Sequence, residues 1–347
     1  MATMTHPPVQ VTAGVDTHKD THTAAAVDDA GRLLGTAQFP ATPAGHRQLL
    51  DWLRRHGTVT LIGVEGTGAY GAGLTRYLST QQISVVEVDR PDRATRRHRG
   101  KSDPVDAESA ARAALSKRAT GTPKQRDGRV EALRQLRLAR SCAVKHRAEL
   151  QQRLHALIVT AGEPLRGKLR ALTAAQLVHV CARLRPDPTH AGNPDTATKI
   201  ALRSIARRHT QLSAEIHALD QVINPLVKAI NPALSATHGV GPEVAGQLLV
   251  TAGDNPHRLR TEAAFAMLCG AAPLPASSGK THRHRLNRGG DRQANCALYR
   301  IVLTRLARDP RTRAYRDRRL QQGLSRPEIF RCLKRYIARE IYTLLTT

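Results

Sequence analysis

The chain has 347 residues, of which 40% are hydrophobic, so it is long enough for two or three folded domains and too apolar to be largely disordered. Its net charge of +26 and its pI of about 11.1 indicate a polyanionic partner, with nucleic acid as the first candidate. No apolar run approaches the length of a membrane span and no basic-then-apolar leader is evident, so we expect a cytoplasmic protein.

The positive charge is concentrated after residue 120. Residues 1–120 carry 15 Lys and Arg against 12 Asp and Glu, whereas the remaining residues carry 39 against 16. This distribution predicts an acid-bearing domain joined to a body that binds a polyanion. Arginine outnumbers lysine 44 to 10, which fits bidentate recognition of phosphate and fits codon usage in a GC-rich genome equally well.

The cysteines are odd in number and scattered, and no pair has the spacing of zinc ligands. This pattern predicts reduced thiols, as expected in the cytoplasm. The five positions are Cys142, Cys181, Cys269, Cys296 and Cys332.

Residues 1–120 alternate between strand and helix patterns. The segments VTAGVD, HTAAAVDD and LLGTAQF predict an antiparallel meander of three strands. A helix that ends at Gly57 follows, and then strand VTLIGVE, helix AYGAGLTRYLSTQ, strand ISVVEVD and helix DPVDAESAARAALSK. This order is that of an RNase H-like mixed sheet covered by helices. The predicted fold class is therefore α/β for the first domain and α for the rest.

Two long helices predict a helical middle domain over residues 121–230. The first spans about residues 130–162 and the second about residues 196–224. Small and apolar residues recur every seven positions along the first helix, which predicts a seam for another helix. That partner is either a second copy of the chain, in a coiled coil, or the second helix, in a hairpin. The seam consists of Leu136, Ala143, Leu150 and Leu157, with Ala139, Leu154 and Ala161 as a second stripe.

Residues 231–347 form the third predicted domain, which is mainly helical. Gly239-Val240-Gly241-Pro242 is similar to a helix-hairpin-helix turn, in which backbone N–H groups approach a phosphate, and is equally consistent with an ordinary glycine turn. A loop of small residues, ASSGK, then leads through a basic stretch into a helix. The candidate nucleic-acid contacts are Gly239, Gly241, Lys280, Arg283, Arg285, Arg288 and Arg292.

Four carboxylates stand at the edges of the predicted N-terminal elements: Asp16, Glu65, Asp103 and Asp106. The last two share one helix face because they are three residues apart. In an RNase H-like sheet the first and fourth strands end side by side and the late helix packs across both, so the four acids should converge. Carboxylates this close raise one another's pKa unless a cation is bound, and oxygen ligands suit Mg²⁺.

Each acid also has a plainer interpretation. Asp103 could cap its helix, with Pro104 at the first helical position and Asp106 favoured by the helix dipole. Glu65 could cap the next helix, and Asp16 could lie in a turn. The set of four in this order favours a metal site, in which two ions would polarise a phosphodiester and activate a nucleophile.

Three N-terminal segments, GVDTHKDTHTAAAVD, GVEGTGAYG and KSDPVDAESAARAAL, resemble the DEDD signature of the transposases of the insertion-sequence-110 group, whose relatives include the Piv-like DNA invertases. The stretch from HGVGPEVAGQLLVTAG to RTRAYRDRR resembles the second conserved domain of that family. The resemblance implies a RuvC-like first domain with Asp16, Glu65, Asp103 and Asp106 as its metal-binding acids.

The resemblance further implies a serine nucleophile in the ASSGK loop, Ser277 or Ser278, with the first of them favoured. It implies a homo-oligomeric recombinase that cuts and rejoins donor and target DNA, guided by a structured non-coding bridge RNA whose loops pair with the two DNAs. A covalent phosphoserine would conserve the energy of the phosphodiester. The arginines that follow the serines would neutralise charge in the transition state or contact the nucleic-acid backbone.

Three other functions were compared with this one. A metal-dependent nuclease or Holliday-junction resolvase would use the four acids and water, which leaves the serine loop unexplained. A non-catalytic nucleic-acid-binding protein predicts the loss of at least one acid, and none is missing. A sugar-kinase-like ATPase would need a second phosphate-binding loop, which we do not find, and its charge would differ.

Overall fold

The computed structural model of the protein describes residues 9–88, 102–279 and 283–347. Two compact units emerge from its contacts. The first comprises Met1–Gly128 and Ala252–Ala264, and the second comprises Arg129–Thr251 and Phe265–Leu345. The domain boundaries at residues 120 and 230 stay a prediction. Of the helices in the described ranges, none has the combination of length and low polarity needed to cross a membrane.

A five-stranded mixed sheet forms the centre of the first unit. Its order is β3-β2-β1-β4-β5, in which β1, β2 and β3 are antiparallel neighbours while β4 runs parallel to β1 and β5 runs parallel to β4. This confirms the predicted α/β class. The strands are β1 (Gln10–Thr17), β2 (Thr21–Val27), β3 (Leu33–Pro40), β4 (Thr58–Glu65) and β5 (Val85–Val88).

In the described ranges, the sheet is covered by helices α1 (Pro43–His56), α2 (Ala72–Thr80) and α3 (Asp103–Leu115). The Thr42 side chain caps α1 by accepting a hydrogen bond from the Gly45 N–H. Apolar side chains from the strands and from the helices pack together as the hydrophobic core of this unit. They include Phe39, Leu49, Leu53, Ile62, Leu74 and Leu78.

Helix α3 packs directly onto the backbone of β1. A Cβ atom at Gly14 would lie 2.1 Å from the backbone nitrogen of Ala111 and 2.2 Å from the carbonyl oxygen of Ala107. Because only glycine lacks that atom, the helix and the strand can approach this closely. Alanines on the facing side of α3 are fully buried, which extends the contact along the helix. This packing fixes the position of the N-terminal end of α3 over the sheet.

Beside the core, His22 on β2 is 1% exposed and stacks on His46 of α1, with ring centroids 5.4 Å apart. Burial, together with the nearby His46, lowers the pKa of His22 to about 4. In an unfolded chain a histidine titrates near pH 6.5. The unfolded state therefore binds a proton more readily, and the stability that neutral His22 contributes is complete above pH 6.5 and is lost as the pH falls towards 4.

Between pH 7.5 and pH 5.0 this one histidine is expected to remove about 2 kcal/mol from the free energy of unfolding. His22→Leu should show a correspondingly weaker pH dependence. The measurement is urea unfolding followed by the fluorescence of Trp52, the single tryptophan, which contacts Phe39 in the same unit. His257→Leu, at an exposed position of this unit, is the control and should keep the wild-type dependence. Equal dependence in His22→Leu and wild type would contradict the prediction.

The second unit is helical. Its elements include α4 (Arg129–Thr160), α5 (Glu163–Leu169), α6 (Ala174–Ala182), α7 (Pro194–Ile230), α8 (Pro232–Ala236), α9 (Pro242–Ala252), α10 (Glu262–Leu268), α11 (Arg292–Arg308), α12 (Pro310–Gln321) and α13 (Arg326–Thr346), although the ends of α9 and α10 fall in the first unit. A two-stranded ribbon of β6 (Leu274–Pro275) and β7 (His284–Arg285) lies between α10 and α11.

The long helices α4 and α7 pair along their length as a hairpin. The Arg140 Nε atom donates to Asp220 Oδ1 across the pair at 2.5 Å, and Leu154 packs in the same buried cluster as Leu202. Of the seam, Ala143 and Leu154 are buried, Leu136, Leu150, Leu157 and Ala161 are half-buried, and Ala139 is exposed. The hairpin is thus the arrangement found within one chain, while a coiled coil between subunits stays a prediction.

Candidate metal centre

The first acid lies where β1 ends. Asp16 is 7% exposed, and Val15 before it pairs with Val64 of the parallel strand β4. Asp16 and Glu65 are therefore the next residues on two adjacent strands, which are about 4.8 Å apart in a sheet. The Thr17 hydroxyl donates to the backbone oxygen of Glu65 at 2.8 Å, which holds the two strand ends together.

Helix α3 brings the other two acids to the same edge. Asp103 and Asp106 occupy its first turn, and Asp106 is 3% exposed. Ser102 stands at the N-cap position, so the capping role considered for Asp103 does not hold. Burial raises the pKa of Asp16, and the charges of Asp103 and Asp106 raise it further, whereas His18 opposes the shift. The acids are thus close enough to repel one another.

A histidine completes the cluster. The His18 Nε2 atom lies 3.2 Å from Asp16 Oδ2 and 3.4 Å from Asp103 Oδ1. Asp16, His18 and Asp103 each offer one ligand atom, and these atoms all lie within 4.8 Å of one another. Glu65 and Asp106 lie at the same edge but outside this closest group. Sequence reasoning missed His18, which follows the last residue of β1 and lies two residues after Asp16.

These donors fit a hard divalent cation. Carboxylate oxygens are the ligands that Mg²⁺ prefers, and a neutral imidazole can join them. Asp16 is buried and its carboxylate is destabilised by burial and by two neighbouring acids, an environment that a bound cation would relieve. The arrangement can therefore hold a metal at the end of the parallel strand pair.

The serine loop belongs to the second unit. Ser277 and Ser278 are exposed, in the segment that connects β6 to β7, and the Ala276 N–H donates to the Arg283 carbonyl oxygen at 2.8 Å. The small side chains leave this backbone accessible. The basic candidates Arg283, Arg285, Arg288 and Arg292 are all exposed, and Lys280 lies outside the described residues.

The glycine turn joins α8 to α9. Gly239 has φ +83°, a conformation that favours glycine, and the Arg305 Nε atom donates to the carbonyl oxygen of His238 at 3.0 Å. The turn is therefore held against α11. Contact of Gly239 and Gly241 with a phosphate stays a prediction.

Comparisons with known proteins match two regions of the chain, one N-terminal and one C-terminal, to transposase families. Residues 13–162 match a family described as "Transposase", and residues 231–317 match the "Transposase IS116/IS110/IS902 family". The chain is 36% identical over 134 residues to the "Insertion element IS110 uncharacterized 43.6 kDa protein" of Streptomyces coelicolor, which covers 38% of this chain and 33% of that protein. It is 27% identical over 331 residues to the "Mini-circle putative transposase for IS117" of the same organism, with 78% of each chain covered.

The mixed sheet, the acids at its edge and the two matched regions define a transposase, the class of enzymes that cut and rejoin DNA. The family's DEDD acids imply the use of a divalent metal. The chain belongs to the IS110 family of transposases.

Proposed function

We propose that this transposase cuts donor and target DNA and rejoins the strands through a serine ester, guided by a structured non-coding RNA. The observation that carries the proposal is the cluster of Asp16, His18 and Asp103, with buried Asp106 beside it, at the end of two parallel strands. The serine nucleophile and the RNA guide are proposed from the ASSGK loop, from the basic residues after residue 120 and from the family to which the chain belongs.

The acids of the first unit would hold Mg²⁺. When bound, the metal supplies charge that polarises a phosphodiester and favours ionisation of a nucleophile. Asp16, Glu65, Asp103 and Asp106 would be its carboxylate ligands. The His18 Nε2 atom contacts the carboxylates of Asp16 and Asp103, so it would either orient them through a hydrogen bond or, without its proton, be a further ligand of the metal.

Ser277 would be the nucleophile, with Ser278 as the alternative. Its Oγ would attack a phosphorus atom of DNA, and the bond from that phosphorus to the deoxyribose oxygen would break. The hydroxyl proton would pass through solvent or a base to the departing oxygen, which leaves as a free hydroxyl group. The resulting serine phosphodiester conserves the energy of the broken bond, so a hydroxyl group of another strand can reverse the step and no ATP is required. Nearby arginines would stabilise the pentacoordinate charge.

The partners follow from charge and from the reaction. The 39 Lys and Arg residues after residue 120 can neutralise many phosphates, as an enzyme that holds two DNAs and an RNA requires. We also propose that a homo-oligomer assembles on the DNA. Light scattering of the purified protein with DNA would measure its stoichiometry.

The decisive assay combines the purified protein with donor and target DNA, with and without RNA transcribed from the non-coding DNA beside the reading frame. We expect recombinant product only when that RNA and Mg²⁺ are both present. A scrambled RNA of equal length is the control. Product formed equally well without RNA would contradict guidance. Metal-dependent cleavage without rejoining would favour the alternative function, a RuvC-like nuclease or resolvase that uses water.

A further inference from the structure

A cavity of about 600 Å³ lies within the second unit. One wall is the ribbon strand β7 with the residues after it, and the opposite wall is the end of α12 with the first half of α13. The lining is strongly basic and includes Arg283, Arg285, Arg319, Arg331, Lys334 and Arg335. This volume falls within the range of pockets that enclose a small ligand, roughly 300–1,000 Å³.

Of the described residues that line the cavity, Glu328 is the one acid, and its carboxylate already accepts hydrogen bonds. The N–H and the hydroxyl of Ser325 both donate to Glu328 Oε2, at 2.9 Å and 2.6 Å, in a capping box at the start of α13. These hydrogen bonds hold the pKa of Glu328 below its usual range. The cavity therefore keeps a large excess of positive charge.

Lys334 is the exceptional member of this lining because it is only 6% exposed. Its Nζ atom donates to Asn295 Oδ1 at 2.9 Å, and among the described carboxylates none forms an ion pair with it. Burial lowers its pKa. A buried charge without a counter-charge is costly, and an apolar side chain would pack at this position of α13 without that cost.

The partner of Lys334 is itself fixed. The Asn295 Nδ2 atom donates to the carbonyl oxygens of Cys269 and Gly270, at 2.9 Å and 3.0 Å, so its own oxygen is turned towards the lysine. An ammonium group has three donors, and this contact uses one of them. Among the described residues, the other two donors have no hydrogen-bond partner and are available to an anion in the cavity that Lys334 lines.

We propose that this cavity binds a backbone phosphate of a single nucleic-acid strand, with Lys334 as the buried anchor. The inference rests on the proposed function and adds to it a binding site. A single strand fits better than a duplex, because a cavity of about 600 Å³ admits one nucleotide but not the full width of a double helix. Leu286, Leu324 and Tyr336 supply apolar surface for a base or sugar beside the phosphate. The strand would then pass the segment that holds Ser277.

The test is Lys334→Met in the full-length protein, measured by fluorescence anisotropy in EDTA. The probes are a labelled 12-nucleotide DNA strand, the RNA strand of the same sequence, and a DNA duplex. We expect roughly tenfold weaker binding of the single strands, because a charge-assisted hydrogen bond is lost. The slope of log K against log salt should become shallower by about 0.7 for the one phosphate contact removed. The melting temperature should stay the same or rise, because a buried charge has been removed.

The matched control is Lys145→Met, which removes an exposed lysine from α4 in the same unit and should change strand affinity less than about twofold. Arg331→Gln, at a half-buried position of the cavity wall, is the second variant in case Lys334→Met does not fold, and should weaken binding of the single strands in the same way. Weaker binding of the DNA strand alone would assign the cavity to DNA, and weaker binding of the RNA strand alone would assign it to the guide RNA. Weaker binding of both strands would support a contact that DNA and RNA share.

Unchanged affinity in folded Lys334→Met, or in Arg331→Gln where the lysine variant is unfolded, would overturn the proposal. An equal loss for the duplex would overturn the single-strand assignment. Because the assay needs no metal and no cleavage, it is independent of the proposed reaction. If recombination is never observed but Lys334→Met still loses affinity, only the proposed function fails. If recombination proceeds and affinity is unchanged, only the cavity proposal fails.

Discussion

Asp16→Asn is expected to abolish strand exchange while folding and nucleic-acid binding stay nearly intact. Asparagine keeps the shape of the side chain but removes the charge from the buried centre of the acid cluster. The variant should then bind Mg²⁺ weakly. In wild type, saturating metal should raise the free energy of unfolding, by about 2.7 kcal/mol at a metal concentration of one hundred times Kd, whereas in Asp16→Asn it should change little. Thermal melts with and without Mg²⁺ measure this difference.

The control for this change is Asp20→Asn. Asp20 lies four residues further on and is exposed, so both recombination and the response to metal should stay at wild-type levels. Asp103→Asn tests a second member of the cluster. Ser102, not Asp103, occupies the N-cap position of α3, so a loss of activity in this variant could not be attributed to a lost N-cap. Recombination at a near-normal rate in Asp103→Asn would show that Asp103 is not a metal ligand. Recombination at a normal rate in Asp16→Asn would contradict the metal site as a whole.

Ser277→Ala is expected to bind RNA and both DNAs yet form no covalent protein–DNA adduct on a denaturing gel. A hydroxyl that only donates or accepts a hydrogen bond tolerates replacement with a modest loss, whereas loss of a nucleophile reduces the rate by about a thousandfold or more. Both serines are exposed, so neither substitution should disturb folding.

Ser278→Ala is the matched control, one residue away in the same segment, and should retain part of the activity. An adduct that persists in Ser277→Ala and disappears in Ser278→Ala would move the nucleophile by one position. An adduct that persists in both variants would assign the nucleophile to another residue. If no adduct forms in the wild type and neither substitution changes the yield, the serine reaction is wrong, and attack by water at the metal centre takes its place.

The N-terminal fold could be predicted because its signals are local. Short apolar runs bounded by turn residues mark β1, β2 and β3, and the parallel order of β1 and β4 makes the ends of both strands meet at one edge. That meeting is why Asp16 and Glu65 could be grouped from sequence. His18 was missed because a single histidine in a turn-like segment, THKD, has no spacing that distinguishes a ligand from a surface residue.

Features that depend on long-range packing could not be predicted. In the segment FRCLKRYIARE, Lys334 looks like one of several surface charges on an amphipathic helix, and only the packing of α13 shows that it is buried. The heptad seam of α4 presented a different difficulty. A repeat of seven specifies a partner helix but not whether that helix belongs to the same chain, and the partner here is α7, which begins more than thirty residues after α4 ends.

The contact between Gly14 and α3 determines how far the carboxylates on α3 lie from Asp16, although Gly14 itself has no side chain. Ala111 is five residues beyond Asp106, and the rise of an α-helix makes this about 7.5 Å along a rigid rod. Any side chain at position 14 would meet the backbone of Ala107 and Ala111, and would displace the rod together with the two aspartates at its end. The distance between the carboxylates on the sheet and those on the helix therefore depends on the absence of a Cβ atom at Gly14, two residues before Asp16.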